Sequence, residues 1–107
     1  MTSMGTIELL TEIKRRLEQA HGHRLTKVIL YGSEARGQAA ADSDVDVLVL
    51  LADPIDYGRD LEISLNALYP LSLQIGRRIS AKPVSAVQYE TVDCPLFRSV
   101  HREGIAA

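Results

Sequence analysis

Apolar residues recur every three or four positions near the start of the chain, with charged residues between them. These residues are Ile7, Leu10, Ile13, Leu17 and Ala20. The spacing predicts a helix from about Ile7 to Ala20, which Gly22 ends.

Two short apolar runs then predict strands. The first, Val28 to Tyr31, ends at Gly32, and residues 33–37 follow as a short helix or turn. Small and polar residues from Gln38 to Ser43 indicate a loop. The second run contains Val45 and the five residues 47–51, and it is typical of a central strand buried on both faces. Asp53-Pro54 ends this strand.

The second half of the chain predicts a long helix, a third strand and a last helix. The long helix spans Ile55 to Arg78, and Pro70 should kink or split it. Its expected apolar side consists of Leu61, Leu65, Leu68 and Ile75. The third strand runs from about Ile79 to Val87. Asp93 is the expected N-cap of the last helix, with Pro95 in its first turn, Gly104 past its end, and Leu96, Phe97 and Val100 on its buried side.

This order predicts an α/β (α+β) fold with a small mixed sheet of about three strands flanked by helices. The strand–helix–strand unit from Asp44 to Val87 should form a right-handed crossover, so its two strands should be parallel and adjacent. A length of 107 residues predicts one domain, residues 1–107.

Composition excludes several classes of protein. The formal net charge is -2 and the isoelectric point is about 5.9, whereas general nucleic-acid binders are strongly basic, so we expect no direct DNA binding. The longest apolar run, Val47 to Ala52, is far shorter than the roughly 20 residues of a membrane span. Cys94 is the only cysteine, which excludes an internal disulfide and favours a cytoplasmic location.

Asp44 and Asp46 stand at the start of the predicted central strand. Side chains at i and i+2 of a strand point the same way, about 6–7 Å apart. Two carboxylates at that distance repel by about 2–3 kcal/mol at an effective dielectric constant near 20. A divalent cation removes this repulsion, and Mg²⁺ suits one or two carboxylates together with substrate phosphates. The alternative is that both residues only cap the strand end.

The six residues Gly32 to Gly37 read Gly-Ser-Glu-Ala-Arg-Gly and follow a strand directly. Glycine lets the backbone approach a phosphate closely, Ser33 offers a hydroxyl, and Arg36 could add positive charge for a triphosphate. The alternative is a plain turn in which Gly32 supplies a positive φ and Arg36 pairs with Glu34 or Asp42. The sequence contains no Walker P-loop.

Taken together, Gly32-Ser33, a ten-residue spacer and Asp44-Val45-Asp46 resemble the DNA polymerase β-type nucleotidyltransferase superfamily. Residues 35–37, the chain length and the ending from Cys94 to Ile105 resemble its minimal members, the MntA-like antitoxins of HEPN/MNT toxin–antitoxin pairs.

The resemblance implies that Gly32 and Ser33 hold nucleotide phosphates, that Asp44 and Asp46 hold Mg²⁺, and that Arg36 assists. It also implies ATP as the donor and AMP transfer to a tyrosine of a helical HEPN toxin, in a hetero-oligomer.

The family also uses a third carboxylate on a neighbouring strand, to activate the attacking hydroxyl. Counted back from the last helix, this position is Ser85, and serine is neither a carboxylate base nor a good metal ligand. Glu90 is an alternative carboxylate, but it lies beyond the strand and is less well placed. A chain without this base could still be a slow enzyme, since general-base help contributes roughly 10²–10⁴-fold.

Two other functions remain open. The chain could be a binding module that neutralises a helical partner by contact alone, which Ser85 favours. It could also modify a small molecule such as an aminoglycoside, although 107 residues leave little room for a second, acceptor-binding domain.

Overall fold

A computed structural model describes residues 4–40 and 42–107. Its elements in chain order are α1 (Thr6–His21), a 3-10 turn (Gly22–Arg24), β1 (Leu25–Tyr31), α2 (Gly32–Ala35), β2 (Val45–Leu51), α3 (Tyr57–Ile75), β3 (Ile79–Ser85), α4 (Ala86–Thr91), α5 (Pro95–Glu103) and β4 (Ile105–Ala106). Within these ranges, no helix combines the length and the apolar character needed to span a bilayer.

The strands form one mixed sheet in the order β3-β2-β1-β4. β2 lies at the centre, parallel to β3 and antiparallel to β1. The predicted parallel pairing across the long helix is therefore confirmed. The sheet has one strand more than expected, because β4 adds two residues antiparallel to β1 after the last helix.

Both faces of the sheet carry apolar side chains. One face packs against α1 and α3 and includes Val47 and Val49 of β2. The other face includes Leu48 and Leu50, which pack with Tyr89 of α4 and with apolar residues of α5. The prediction that β2 is a central strand buried on both faces is confirmed.

The long helix α3 is shorter than predicted, Tyr57–Ile75 instead of Ile55 to Arg78, and it differs in two further respects. It is not split at Pro70, which lies on the solvent side, where a missing backbone N–H removes one helical hydrogen bond without disturbing the core. Its buried side consists of Asp60, Ser64, Leu68 and Leu71, while Leu65 is 42% exposed.

The two buried polar residues of α3 explain this difference. The side chain of Asp60 accepts hydrogen bonds from Arg24, and the hydroxyl of Ser64 lies 2.8 Å from Nε2 of the buried His21. A pattern based on apolar residues assigns Asp60 and Ser64 to the solvent side, because it cannot detect their partners.

The end of β3 and the start of the last helix are each shifted from the predicted positions. β3 ends at Ser85, whose hydroxyl accepts the N–H of Gln88 and so caps α4, a helix that was not predicted. Cys94, rather than Asp93, is the N-cap residue of α5. The carboxylate of Asp93 instead accepts a hydrogen bond from Arg98.

Candidate functional site

The turn after β1 lies directly against β2. Gly32 has a φ of +75°, and a Cβ atom at this position would lie 2.5 Å from Oδ2 of Asp46. A side chain at this position is therefore strained by the backbone conformation, and it would force the carboxylate of Asp46 to move. The structure thus brings together Gly32 and Asp46, two of the residues that the sequence singled out, although they are 14 positions apart.

The two aspartates differ in their surroundings. Asp44 is exposed just before β2, while Asp46 is the second residue of β2 and half-buried. Burial raises the pKa of Asp46, and the negative charge of Asp44 adds to this, whereas the positive charges of Lys82 and Arg36 oppose it. In the part of the chain that the structure describes, neither aspartate forms a salt bridge within 4.0 Å.

Three polar side chains form a row across the sheet beside the turn. Asp46 of β2 pairs with Tyr31 of β1 on one side and with Ser80 of β3 on the other. Residues paired in this way project from the same face. Burial and the charge of Asp46 raise the pKa of Tyr31 to about 12. Tyr31 therefore stays a neutral hydroxyl next to the carboxylate.

The predicted position of the missing third carboxylate, Ser85, is wrong. Ser85 pairs with Leu51 at the other end of β2, about 16 Å along the strand from the row that contains Asp46. Its hydroxyl donates to Oδ2 of Asp53 over 3.0 Å. The β3 residue beside Asp46 is Ser80, so the site still has serine where a neighbouring strand could supply a carboxylate. Glu90 lies on α4 and is also remote from this row.

The positive charge of Arg36 partly opposes the rise in the pKa of Asp46, but the Arg36 guanidinium forms its contacts with other residues. Nη1 lies 3.1 Å from Oε2 of Glu103 on α5, and Nε donates to the side chain of Gln38. Neither of the two partners considered from the sequence, Glu34 or Asp42, is used.

Glu34, in the same turn, is at the centre of a network that the sequence did not reveal. Its Oε1 lies 2.7 Å from Nη2 of Arg77, and its Oε2 accepts the hydroxyl of Thr6 at 2.7 Å. Arg77 also donates to the carbonyl of Ser43, directly before Asp44. Burial alone would raise the pKa of Glu34, but Thr6 and Arg77 outweigh this effect and lower it. The network therefore joins α1, the turn, the segment before β2 and the segment after α3.

The donor set fits a divalent cation that arrives with a phosphate. Carboxylate oxygens suit Mg²⁺, and a cation would relieve the burial and the repulsion from Asp44 that raise the pKa of Asp46. Across residues 4–40 and 42–107, no group of three or more His, Cys, Asp or Glu side chains is arranged to hold a metal ion. A cation held by Asp44 and Asp46 would therefore need further oxygen ligands from a substrate or from water.

The small mixed sheet, with a glycine–serine turn against a carboxylate pair, defines a nucleotidyltransferase-type protein. A family model described as "Nucleotidyltransferase domain" matches residues 10–98. The chain belongs to this family.

Three similar proteins extend the comparison. A protein of Methanocaldococcus jannaschii named "Putative protein adenylyltransferase" is 42% identical over 50 residues, which cover 47% of this chain and 50% of that protein. The match thus spans only half the length of this relative. A structure described as "putative minimal nucleotidyltransferase" has a TM-score of 0.62 and 27% identity, and 98% of each chain is covered. A structure described as a toxin–antitoxin with AMP-PNP has a TM-score of 0.64 and 20% identity, over 90% of this chain and 69% of that one, and shows likeness in fold.

Proposed function

We propose that this chain is an antitoxin that binds ATP with Mg²⁺ and transfers AMP to a hydroxyl of a partner toxin. The observation that carries the proposal is the close approach of Gly32 to the carboxylate of Asp46, which brings the turn that we propose to bind phosphate next to one of the two carboxylates that we propose to bind the cation. The family supports nucleotidyl transfer, and the curated relative supports AMP and a protein acceptor.

Each residue of the site has a role in this proposal. Gly32 and Ser33 approach the phosphates through the backbone and a hydroxyl, and Asp44 and Asp46 hold the cation. Bound Mg²⁺ would neutralise phosphate charge at the site. Arg36 contributes positive charge near Asp46 while its guanidinium is bound to Glu103. The oxygen of the acceptor forms a bond to the α-phosphorus. The bond from this phosphorus to the bridging oxygen of the β-phosphate breaks, so pyrophosphate leaves, and the acceptor proton passes to solvent.

The identity of the partner is the most specific part of the proposal. The toxin–antitoxin of similar fold supports a toxin as acceptor, and the sequence resemblance supports a helical HEPN toxin with a tyrosine acceptor. We infer a hetero-oligomer acting in the cytoplasm through one domain, residues 1–107.

A second candidate function is neutralisation by contact without catalysis. Ser80 favours it, because the β3 position beside Asp46 carries a hydroxyl that cannot act as a carboxylate base. The two candidates share the same partner and differ only in whether AMP is transferred.

Intact-mass measurement separates the two. The protein encoded beside this gene is incubated with this chain, Mg²⁺ and ATP. A mass gain in whole AMP units that disappears with Asp44→Asn supports the transferase. A stable complex without any mass gain supports neutralisation by contact, and a mass gain that persists with Asp44→Asn contradicts the assigned site.

Ser80→Asp tests the missing carboxylate. The change places a third carboxylate next to Asp46, so we expect AMP transfer to accelerate by roughly 10²–10⁴-fold. Single-turnover mass spectrometry measures the rate. Ser80→Asn is the matched control, because it has the shape of aspartate without the charge. Equal rates for the two variants would contradict a role for this position in catalysis.

A further inference from the structure

An open groove runs between α3 and the free edge of β3, with a volume of about 460 Å³. Its wall on α3 includes Tyr57, Leu61, Leu65 and Tyr69, spaced four residues apart. Tyr57 is 54% exposed and Tyr69 is 63% exposed, so residues 4–40 and 42–107 leave this wall uncovered. The floor consists of the five consecutive residues 78–82 of β3 and the segment before it.

In the described part of the chain no strand pairs with the outer edge of β3, so this edge offers backbone groups along the floor of the groove. β3 is the outer strand of the sheet, and the carbonyl of Arg78 accepts the N–H of Val45 on β2. Backbone groups of alternate residues face a given neighbour in a parallel pair, so those of Ile79 and Ala81 face outwards. Pro83 has no N–H and ends the available edge.

This edge is continuous with the candidate transfer site. Ser80, in the middle of the floor, pairs with Asp46 and projects from the same face of the sheet. A strand added to β3 would lie about 10 Å from β2, since neighbouring strands are about 4.8 Å apart. A side chain from that strand must cross Ser80 to reach Asp46. Only a long side chain spans this distance, and tyrosine is the longest one that carries a hydroxyl.

The rim of the groove is positively charged. Arg78 and Lys82 are both exposed, and within the described ranges neither forms a salt bridge. An apolar wall with a basic rim is complementary to a segment that carries apolar and acidic side chains.

We propose that this groove binds an extended segment of the acceptor protein, which pairs with the outer edge of β3 and directs its hydroxyl towards Asp46. The segment contains apolar residues that contact the α3 wall and acidic residues near Arg78 and Lys82. This inference rests on the proposed function for the identity of the occupant, and it assigns the surface that selects the acceptor.

Leu65→Asp tests the wall, and Leu73→Asp is its matched control. Both leucines lie exposed on α3, but only Leu65 lines the groove. The affinity of each variant for the protein encoded beside this gene is measured by calorimetry. We expect Leu65→Asp to weaken binding at least about tenfold, with Leu73→Asp unchanged. Equal affinities for the two variants would overturn the proposal.

Ala81→Pro tests the edge. The substitution removes an outward N–H in the same way as the native Pro83, and it leaves the hydrogen bonds to β2 in place. We expect at least about tenfold weaker binding of the neighbouring protein, with unchanged affinity for ATP and Mg²⁺. Unchanged binding of the protein would contradict strand addition.

The remaining outcomes separate this inference from the proposed function. Binding that depends on Leu65 without AMP transfer supports the groove and contradicts the transferase. If AMP is transferred and the KM for the acceptor is the same in wild type and Leu65→Asp, the groove proposal is contradicted, while the proposed transferase function is not. If the wild-type chain forms a dimer that Leu65→Asp dissociates, the groove binds a second copy of this chain instead. If the wild-type chain does not bind the neighbouring protein, both proposals are contradicted.

Discussion

At the scale of single residues, the absence of a side chain at Gly32 allows the carboxylate of Asp46 to lie against the turn. We expect Gly32→Ala to destabilise the fold by about 1–3 kcal/mol, because the new Cβ would clash with Oδ2 of Asp46 and the φ of +75° is unfavourable for alanine. We also expect ATP binding to be lost as the turn moves away. Thermal unfolding and calorimetric titration with ATP and Mg²⁺ measure the two effects.

Gly58→Ala is the control for this substitution. Gly58 lies in the first turn of α3, and a Cβ there meets no atom within 4 Å. Alanine should leave stability unchanged or raise it slightly, since it favours the helix. If Gly32→Ala is as stable as Gly58→Ala and still binds ATP, the close approach of turn and carboxylate has no functional importance.

The site was predictable only in part. Local motifs identified the Gly-Ser turn and the two aspartates, because each lies within a few residues of a strand end. The position beside Asp46 on β3 was assigned to Ser85 instead of Ser80, because strand register depends on pairing between distant segments. Gly76, which ends α3 with a φ of +69°, was the better reference point, since β3 begins three residues after it.

At the scale of elements, Arg24 and Asp60 join the 3-10 turn to the start of α3. Two Arg24 nitrogens donate to the carboxylate over 2.7 and 3.0 Å, and the N–H of Asp56 donates to it as well. The hydrogen bonds from Arg24 hold the pKa of Asp60 below its ordinary value. Arg24 also donates to the carbonyl of Pro54, which fixes the loop after β2.

Asp60→Asn tests this junction. A carboxylate whose pKa is lowered by folding stabilises the fold above its unfolded pKa near 3.9, and this contribution is lost as pH falls through the folded pKa. We expect the variant to lose about 2–3 kcal/mol at pH 7 and to show a weaker loss of stability on acidification. Urea unfolding between pH 7 and pH 3 measures both effects.

Asp93→Asn is the matched control for Asp60→Asn. Asp93 also accepts a hydrogen bond from an arginine, Arg98, but its side chain is 78% exposed. Exposed ion pairs contribute little, so we expect a change below about 1 kcal/mol. An equal loss in both variants would show that burial of the Arg24–Asp60 pair does not matter.

The elements themselves were largely predictable. Helical spacing predicts α1 and α3, capping and turn residues predict α5, and two apolar runs predict β1 and β2, with a third strand between the last two helices. Prediction failed where a tertiary contact decides the outcome. Ser85 ends β3 by capping α4, and β4 consists of only two residues paired with β1. No periodicity is detectable over so few residues.

At the scale of the whole molecule, β2 connects the two apolar clusters on opposite faces of the sheet. We expect Leu48→Ala to destabilise the fold by about 2–5 kcal/mol, since the Leu48 side chain is fully buried in the cluster that β2 forms with α4 and α5. The two apolar clusters should unfold in one transition. Urea titration, followed by circular dichroism and by tyrosine fluorescence, tests this.

Leu73→Ala is the control for this truncation. Leu73 is 65% exposed, so the change should cost less than about 0.5 kcal/mol. Two separate transitions for Leu48→Ala would indicate that α4 and α5 unfold independently of the sheet.

Pro83 restricts the register in which any segment can pair with β3. Hydrogen bonding along this edge stops at the proline, so a bound strand has a fixed starting point relative to Ser80. Successive side chains of a strand point to opposite faces, so moving the proposed acceptor tyrosine by one position would turn it away from Asp46. A partner in which one residue is inserted before the tyrosine should still bind but remain unmodified, while insertion of two residues should restore its orientation.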